Sequence, residues 1–379
     1  MFWLAFKMLF QERSRLIITL VGIVFSGVLT LMEVGIYLGM MGNATGIVRH
    51  TDADIWIMSK NVPNFDFSQP FPDYLIDRVR GLDEVARADS IQVWFGFLKL
   101  HDGRREQVEL VGFDPDSGVG GPWAMESGQA TDVKGGNYMI LDASARQRLG
   151  DLTPGSLWEV NVFKEESFKL VGVSQGVVSF TTVPVMFTSH AWMERSLAGT
   201  NFANQTSFIV AKLKDPATLP DVVATLRNRL PNNDVYTRQE FINRAVEYWT
   251  IQTGMGMSFF LTAILAVLIG GAIVGQTIYA STLEHLRDYG TLKAMGARNR
   301  DINTVILSQA AVSAVLGFVI SVTVLVLVRG GVERSGVPLT TPWELFVVMF
   351  VIIVLTCLSA AWVSVRKTKT LDPAMVFRG

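Results

Sequence analysis

The chain has 379 residues, of which 49% are hydrophobic and only 18% are charged, and its mean hydropathy is +0.33. Soluble domains usually carry about a quarter charged residues, so this composition indicates a membrane protein. A formal net charge of −1 argues against a nucleic-acid partner, which would require a basic face. The single cysteine, Cys357, excludes an intrachain disulfide, and four histidines far apart in sequence indicate no metal site.

The residue pattern of the segment 1–15 predicts a short amphipathic helix that lies on the cytoplasmic face of the membrane. Trp3, Phe6 and Phe10 alternate there with Lys7. Aromatic side chains on one face and a basic residue on the other are typical of an interfacial helix.

Four apolar segments are each long enough to cross a hydrocarbon core of roughly 30 Å, which takes about 20 residues. None shows the polar face of a soluble core helix. The first is too long for a signal peptide and is not followed by a small-residue cleavage site. The predicted spans are residues 16–41, 257–280, 302–328 and 343–365.

The distribution of Lys and Arg predicts the orientation of the spans, because short cytoplasmic loops carry the excess of positive charge. The segments 281–301 and 366–379 each hold four basic residues, whereas the loop 329–342 holds two. We therefore expect both termini, of which the C-terminal one is the tail 366–379, to lie in the cytoplasm. The segment 281–301 is expected on the same side. The loop 329–342 and the large region 42–256 are expected in the periplasm.

The region 42–256 is long enough for a large domain, and its pattern predicts an α+β fold. The runs Ile91–Leu100 and Gln107–Phe113 flank Asp102-Gly103, which favours a β-hairpin. A β-rich part at about residues 115–200 is expected to be inserted between two βα pieces. The predicted fold class is an α-helical membrane protein with four spans and an α+β extracytoplasmic domain between spans one and two.

An aromatic loop punctuated by prolines, Phe65 to Pro72, has two interpretations. Prolines commonly rigidify connections, which favours a loop packed on the domain. The alternative is a docking surface for a partner protein. Further along, Asp114-Pro115-Asp116 is best interpreted as a turn.

The segment 281–301 carries the strongest functional signal. Leucines alternate there with charged residues, as in a helix that leaves the bilayer and could be gripped by a cytoplasmic motor; the alternative is a plain solvated connector. Leu286 and Tyr289 are expected to enter a groove of a partner ATPase. The residues assigned to coupling are Leu283, Glu284, His285, Leu286, Arg287, Asp288, Tyr289, Gly290, Lys293 and Gly296.

This segment resembles the cytoplasmic signature of FtsX/MacB-type ABC transporter permeases, which stands here as Gly290-Thr-Leu-Lys-Ala-Met-Gly-Ala297. The whole chain is similar to the DevC-like branch of that family. It departs from the branch at Glu33, where a glutamine is more usual. The other matching segments are Leu9–Arg15, Glu247–Gly256, Gln276–Tyr279, Glu284–Lys293 and Leu371–Gly379.

The resemblance implies the type VII ABC exporter topology in a bacterial inner membrane. It implies a homodimer bound to two copies of a cytoplasmic ATPase, which would bind ATP and Mg²⁺. The chain has no Gly-x4-Gly-Lys-Ser/Thr phosphate loop, so it is expected to be a non-catalytic permease without a cofactor of its own. The periplasmic domain, with a porter-like part and the β-rich insertion, is expected to dock a membrane-fusion protein and, through it, an outer-membrane channel.

Glu33 is the acidic residue deep in a predicted span, where a carboxylate is costly and marks a candidate functional site. In the structural interpretation, Glu33 forms a hydrogen bond to a neighbouring helix or lies at a hydrated boundary. In the functional interpretation, Glu33 and Tyr37 contact cargo or the second protomer. The expected cargo is hydrophobic or amphiphilic and lipid-like. The alternatives are a heme exporter, with Glu33 as a ligand, and an FtsX-like transmitter that regulates a periplasmic partner without carrying cargo.

Two small-residue patterns within the spans, Gly35-x3-Gly39 and Gly271-x3-Gly275, allow close helix contact. Glycine is common in membrane spans, so neither pattern alone identifies a dimer interface.

Overall fold

The computed structural model describes residues 2–100, 102–180 and 183–368. It divides into two compact units, which we name the span unit (residues 1–39 and 255–379) and the inserted unit (residues 40–254). Most of the predicted cytoplasmic tail 366–379, with the matching segment Leu371–Gly379, lies outside the described residues.

Four of the helices are long and apolar enough to cross a membrane: α2, α8, α10 and α11. This confirms the predicted four-span architecture. A short turn of π-helix, Tyr248–Gln252, lies between α7 and α8 in sequence. The helices are α1 (Phe2–Gln11), α2 (Arg13–His50), α3 (Leu75–Arg80), α4 (Arg146–Leu149), α5 (His190–Leu197), α6 (Leu219–Arg229), α7 (Arg238–Glu247), α8 (Met255–Glu284), α9 (Leu286–Ala294), α10 (Asn299–Arg334) and α11 (Trp343–Thr368).

Glycines allow the helices of the span unit to approach one another closely. A Cβ atom on Gly22 of α2 would lie 2.7 Å from Ile273 of α8, and one on Gly317 of α10 would lie 2.4 Å from Ile23 of α2. A Cβ atom on Gly271 of α8 would lie 2.9 Å from the side chain of Thr356 on α11. Helices in lipid associate through close packing of this kind, so small residues occupy the contact points.

The glycines of the pattern Gly35-x3-Gly39 pack against an extended segment of the same chain and not against another helix. A Cβ atom on Gly39 would lie 2.6 Å from the carbonyl oxygen of Pro338. The N–H of Thr340 donates to the carbonyl oxygen of Gly35 at 3.0 Å. The two glycines therefore fix the segment that leads into α11.

We predict that Gly39→Ala destabilises the protein, because its methyl group would meet a backbone oxygen that has little freedom to move. The expected cost is about 1–3 kcal/mol, the range for overpacking a close contact. Gly42→Ala on the same helix is the matched control, since a Cβ atom there meets nothing within 4 Å. Alanine is favoured over glycine in a helix by roughly 0.5–1 kcal/mol, so Gly42→Ala should be neutral or stabilising. Thermal unfolding of both purified variants would test this, and equal melting temperatures would contradict it.

The inserted unit is built on one large sheet, which confirms the predicted α+β class. The strand order is β12-β1-β11-β3-β4-β9-β6-β8-β5, with β7 paired to β3 and β8, and β2 pairs separately with β10. The strands are β1 (Ile55–Ser59), β2 (Phe71–Pro72), β3 (Val85–Lys99), β4 (Arg105–Phe113), β5 (Met125–Ser127), β6 (Tyr138–Asp142), β7 (Leu157–Asn161), β8 (Glu165–Ser174), β9 (Val185–Ser189), β10 (Gln205–Thr206), β11 (Phe208–Leu213) and β12 (Asn233–Thr237).

The long strand β3 connects the two parts of this sheet. Its first half pairs with β11, from Val85 opposite Leu213 to Ile91 opposite Phe208. Its second half pairs with β4 in the predicted hairpin, from Gln92 onward. On the β11 side, buried apolar residues of α3 and α6 cover the sheet and form one hydrophobic core with β1 and β12.

The aromatic loop before β2 is packed on the inserted unit. Phe65 is 2% exposed, and its ring stacks on Phe208 with centroids 5.1 Å apart. Phe71 is also buried, in β2, where Thr206 of β10 lies opposite it. These positions favour the packed interpretation of the loop over a docking surface.

Candidate functional site

The helix of the second span continues beyond the membrane segment with a single interruption. α8 ends at Glu284 and α9 begins at Leu286. His285 between them has φ −84° and ψ 10°, yet its N–H still donates to the Ser281 carbonyl at 3.1 Å. The N–H of Tyr289 in turn donates to the His285 carbonyl at 2.9 Å, so α9 remains hydrogen-bonded to the end of the span.

Gly296 ends α9 in a defined motif. Its φ of 98° lies in the left-handed region, which favours glycine. The N–H of Ala297 donates to the Leu292 carbonyl at 3.0 Å, and the N–H of Gly296 donates to the Lys293 carbonyl at 2.9 Å. These two bonds form a Schellman motif, which satisfies carbonyls left open at the helix end. Gly296, the penultimate residue of the sequence signature, therefore ends α9 before α10 begins.

A group of charged side chains joins the start of α2 to the end of α8. Glu12, which separates α1 from α2, places one carboxylate oxygen 2.7 Å from Nε2 of His285. Its other oxygen accepts from Arg15 at 2.9 Å, and Arg15 also pairs with Glu284. Nδ1 of His285 lies 2.7 Å from Asp288. We name Glu12, Arg15, Glu284, His285 and Asp288 the Glu12 cluster.

Three side chains of the Glu12 cluster are only partly open to solvent, whereas Glu284 and Asp288 are each 64% exposed. The side chains of Glu12, Arg15 and His285 are 26%, 22% and 20% exposed. A carboxylate faces each ring nitrogen of His285. Partly buried pairs of this kind are screened less by water and salt than exposed ion pairs.

Tyr289 lies inside the span unit rather than on its surface. It is 1% exposed and belongs to a hydrophobic core that also contains Ala5 of α1 and Ile302 and Ile306 of α10. Burial, together with the nearby carboxylates of Glu12 and Asp288, raises the pKa of Tyr289 to about 12, so its hydroxyl remains protonated. The expectation that the Tyr289 ring enters a groove of a partner is therefore corrected: the ring anchors α9 to its own chain.

One open row of side chains spaced four residues apart runs along α9 and its two flanks, and Asp288 and Ala294 are exposed beside it. Residues four apart lie on the same face of a helix. Leu283 is 41% exposed and Met295 is 72% exposed. Leu286, Lys293 and His285 are half-buried, and Gly290 is buried. We name the open row the exposed strip; it consists of Leu283, Arg287, Thr291 and Met295.

The coupling residues that the sequence predicts do not include Thr291 or Met295. The signal that points to them is the four-residue spacing from Leu283 through Arg287. Periodicity alone does not say which face of the helix is open, because that depends on how α1 and α10 cover the opposite face.

Glu33 and Tyr37 lie on α2, away from these contacts in sequence. The Tyr37 ring packs against Phe260 of α8, with centroids 4.9 Å apart. The carboxyl group of Glu33 is half-buried and forms no hydrogen bond or ion pair with any residue that the structure describes. The predicted alternative of a hydrogen bond to a neighbouring helix of the same chain is thus not observed among these residues.

The turn at Asp114-Pro115-Asp116 borders a cleft of about 610 Å³ in the inserted unit. The N–H of Gly118 donates to the Asp114 carbonyl at 2.9 Å, as the sequence predicts for a turn. Six of the sixteen residues that line the cleft are acidic, and one of them, Asp116, pairs with Lys134. No ligand is assigned to this cleft.

We predict that Glu12 and His285 are energetically coupled. Glu12→Gln and His285→Gln should each destabilise the protein by about 1 kcal/mol, and the double variant should show a coupling energy of about 1 kcal/mol. The measurement is a double-mutant cycle from unfolding of the purified protein in mixed micelles.

The control for this cycle is the exposed pair Arg329 and Glu333 on α10, whose charged atoms lie 2.7 Å apart. Exposed pairs four residues apart on a helix contribute only about 0.2–0.5 kcal/mol. A Glu12–His285 coupling energy no larger than that of Arg329→Gln with Glu333→Gln would contradict the assignment.

Two family descriptions match the chain. Residues 16–229 match the family described as MacB-like periplasmic core domain. Residues 260–373 match the family described as FtsX-like permease C-terminal. The first match covers more than half of the chain, and the second includes the α8–α9 break and the exposed strip.

Two relatives and one solved structure are similar to the chain. An uncharacterized ABC transporter permease of Mycobacterium tuberculosis is 24% identical over 371 residues, which cover 97% of each chain. The macrolide export ATP-binding/permease protein MacB of Campylobacter jejuni is 26% identical over 214 residues, or 51% of this chain and 32% of that protein. The periplasmic region of MacB from Actinobacillus actinomycetemcomitans, a crystal structure, covers 53% of this chain and 95% of its own, with 13% identity and a TM-score of 0.40.

Proposed function

Because the chain belongs to the ABC transporter permeases of the MacB/FtsX type, we propose that it is a membrane subunit that a separate ATPase drives to export a hydrophobic or amphiphilic compound. The permease works as a homodimer in the inner membrane. Both termini and the α8–α10 connection face the cytoplasm, and the inserted unit faces the periplasm, as the distribution of Lys and Arg predicts.

The observation that carries this proposal is the exposed strip on a short helix whose start is attached to the span unit and whose end is defined by a Schellman motif. The Glu12 cluster and the buried Tyr289 ring attach the start of α9 to the span unit, and the Schellman motif at Gly296 defines its end. An ATPase that grips Leu283 and Met295 would therefore displace α8, and through Glu12 also the start of α2. The missing phosphate loop in the sequence supports a partner as the site of ATP hydrolysis.

Glu33 supports a binding role inside the membrane. A carboxyl group in a span is costly unless it finds a partner, and Glu33 has none among the described residues of its own chain. We assign its partner to the polar group of an amphiphilic cargo or to the second protomer. Tyr37 lies one helical turn further along α2, beside Phe260, and would contribute an amphipathic ring to the same site.

The inserted unit supports export over signal transmission. Its sheet carries a β-rich part, β4 to β9, in addition to the part around β1, β11 and β12. This second part provides a surface for a membrane-fusion protein, which would connect the permease to an outer-membrane channel. An FtsX-like transmitter would need only a surface for the protein that it regulates.

We predict that Leu283→Asp and Met295→Asp each release the ATPase from the purified complex. A charge placed in a desolvated anchor contact costs about 2 kcal/mol or more, which corresponds to about thirty-fold in affinity. The measurement is co-purification of the ATPase with the tagged permease, together with the rate of ATP hydrolysis.

Leu157→Asp is the matched control, because Leu157 is an exposed leucine (64%) on β7 of the inserted unit. It should leave the ATPase bound. Full retention of the ATPase by both strip variants, or equal loss with Leu157→Asp, would show that the exposed strip is not the coupling surface.

We predict that Glu33→Leu lowers the amount of amphiphile that co-purifies with the permease by about tenfold, the effect of losing about 1.4 kcal/mol of binding. Mass spectrometry of the extracted protein would measure it, and the ATPase should remain bound. Glu344→Leu, at an exposed carboxylate in the first turn of α11, is the control and should be silent. An unchanged amount of amphiphile in Glu33→Leu would remove Glu33 from the cargo site.

A further inference from the structure

Glu33 lies on the face of α2 that packs against α8. Three residues before it, the Thr30 hydroxyl lies 3.5 Å from the carbonyl oxygen of Ala263. Four residues after it, the Tyr37 ring packs against Phe260 with centroids 4.9 Å apart. Residues three and four apart share one face of a helix, so Glu33 lies between these two contacts with α8.

The neighbouring part of α8 gives the Glu33 carboxyl group no partner. The hydroxyl groups of Ser258 and Thr262 donate to backbone carbonyls of their own helix, at 2.7 and 3.0 Å. The carboxyl group is half-buried and forms no hydrogen bond or ion pair with a residue that the structure describes. A carboxylate in this setting is costly until a donor or a cation neutralises it.

A second copy of the chain does not supply that cation from its spans. None of the four predicted spans contains a lysine, arginine or histidine. Gly27 of α2 lies against Ser321 of α10 and the two helices run in the same direction, so Arg329 is the basic residue of α10 nearest in level to Glu33. The guanidinium of Arg329 already pairs with Glu333 of its own helix at 2.7 Å. The cation is therefore assigned to a ligand.

An apolar surface continues from the Tyr37 contact along α8. Phe260 is partly exposed, and three apolar residues on the same side of the helix are each more than half exposed. The row covers roughly 16 Å of helix at 1.5 Å per residue, which suits an alkyl chain. We name it the apolar row; it consists of Met257, Phe260, Ile264 and Leu268.

We propose that Glu33 binds the ammonium group of a cationic amphiphile whose alkyl chain lies along the apolar row. The ionised carboxyl group only accepts hydrogen bonds, so it selects a headgroup that donates and carries positive charge. The aromatic rings of Tyr37 and Phe260 favour a cation at the same place, because the face of an aromatic ring attracts positive charge. This inference rests on the proposed function and names the chemical class of the cargo.

Two probes that share one alkyl chain and differ in headgroup charge test the inference. The purified complex of permease and ATPase is immobilised in dodecyl maltoside micelles, and binding of tritiated dodecylamine and dodecanol is measured by scintillation proximity. At pH 7 the amine is protonated, as a lysine side chain is. Dodecylamine should bind about tenfold more tightly than dodecanol, because a charge-assisted contact is stronger than a neutral one. Equal affinities for the two probes in the wild type would overturn the proposal without the use of any variant.

Glu33→Gln keeps the size of the side chain and removes its charge. It should lower the affinity for dodecylamine about tenfold and leave the affinity for dodecanol unchanged. Glu344→Gln, at the exposed carboxylate in the first turn of α11, is the matched control and should leave both affinities unchanged. A preference for the amine that persists in Glu33→Gln, or that is lost equally in Glu344→Gln, would contradict the assignment.

Arg329→Gln tests the second copy as the source of the cation. If the partner's guanidinium occupied Glu33, its removal would free the carboxylate, and the affinity for dodecylamine would rise. We expect both affinities to stay unchanged in Arg329→Gln, and a rise for the amine alone would overturn the proposal.

Export is measured separately, as ATP-dependent movement of dodecylamine in proteoliposomes that contain the same complex. A preference for the amine that depends on Glu33, without export, would support this inference and reject the proposed function. Export of both probes, with no preference for the amine, would reject this inference alone.

Discussion

The contact between Glu12 and His285 is the interaction on which the candidate coupling site depends. A backbone that crosses hydrocarbon must satisfy its own hydrogen bonds, so the chain remains helical through each span and can be interrupted only near the span ends. Glu12 and His285 mark two such interruptions, and their side chains meet at 2.7 Å. One side-chain contact thereby joins the amphipathic helix α1, the first span and the end of the second span.

This attachment gives α9 two distinct faces. The buried face, with Tyr289 and Gly290, belongs to the core of the span unit, and the open face presents the exposed strip. A helix that is attached on one side and open on the other can transmit a partner's movement to the spans. This role requires no catalytic group in α9. This is consistent with a chain that belongs to an ABC permease family and lacks a phosphate loop.

The inserted unit shows a different constraint. Its sheet is continuous because β3 pairs with β11 in its first half and with β4 in its second, so the two parts share one framework.

The sequence alone determined those features that depend on local physics. The four spans follow from hydropathy and length, the β3–β4 hairpin from strand patterning around Asp102-Gly103, and the family from the signature at Gly290–Ala297. Only the tertiary structure decided which face of α9 is open, because α1 and α10 fold over Tyr289 from distant parts of the chain. For the same reason, no sequence pattern leaves Glu33 without a partner among the described residues. Periodicity and composition depend only on the identity of each residue and of its neighbours in sequence. Whether a charge is matched depends on neighbours that only the folded chain brings together.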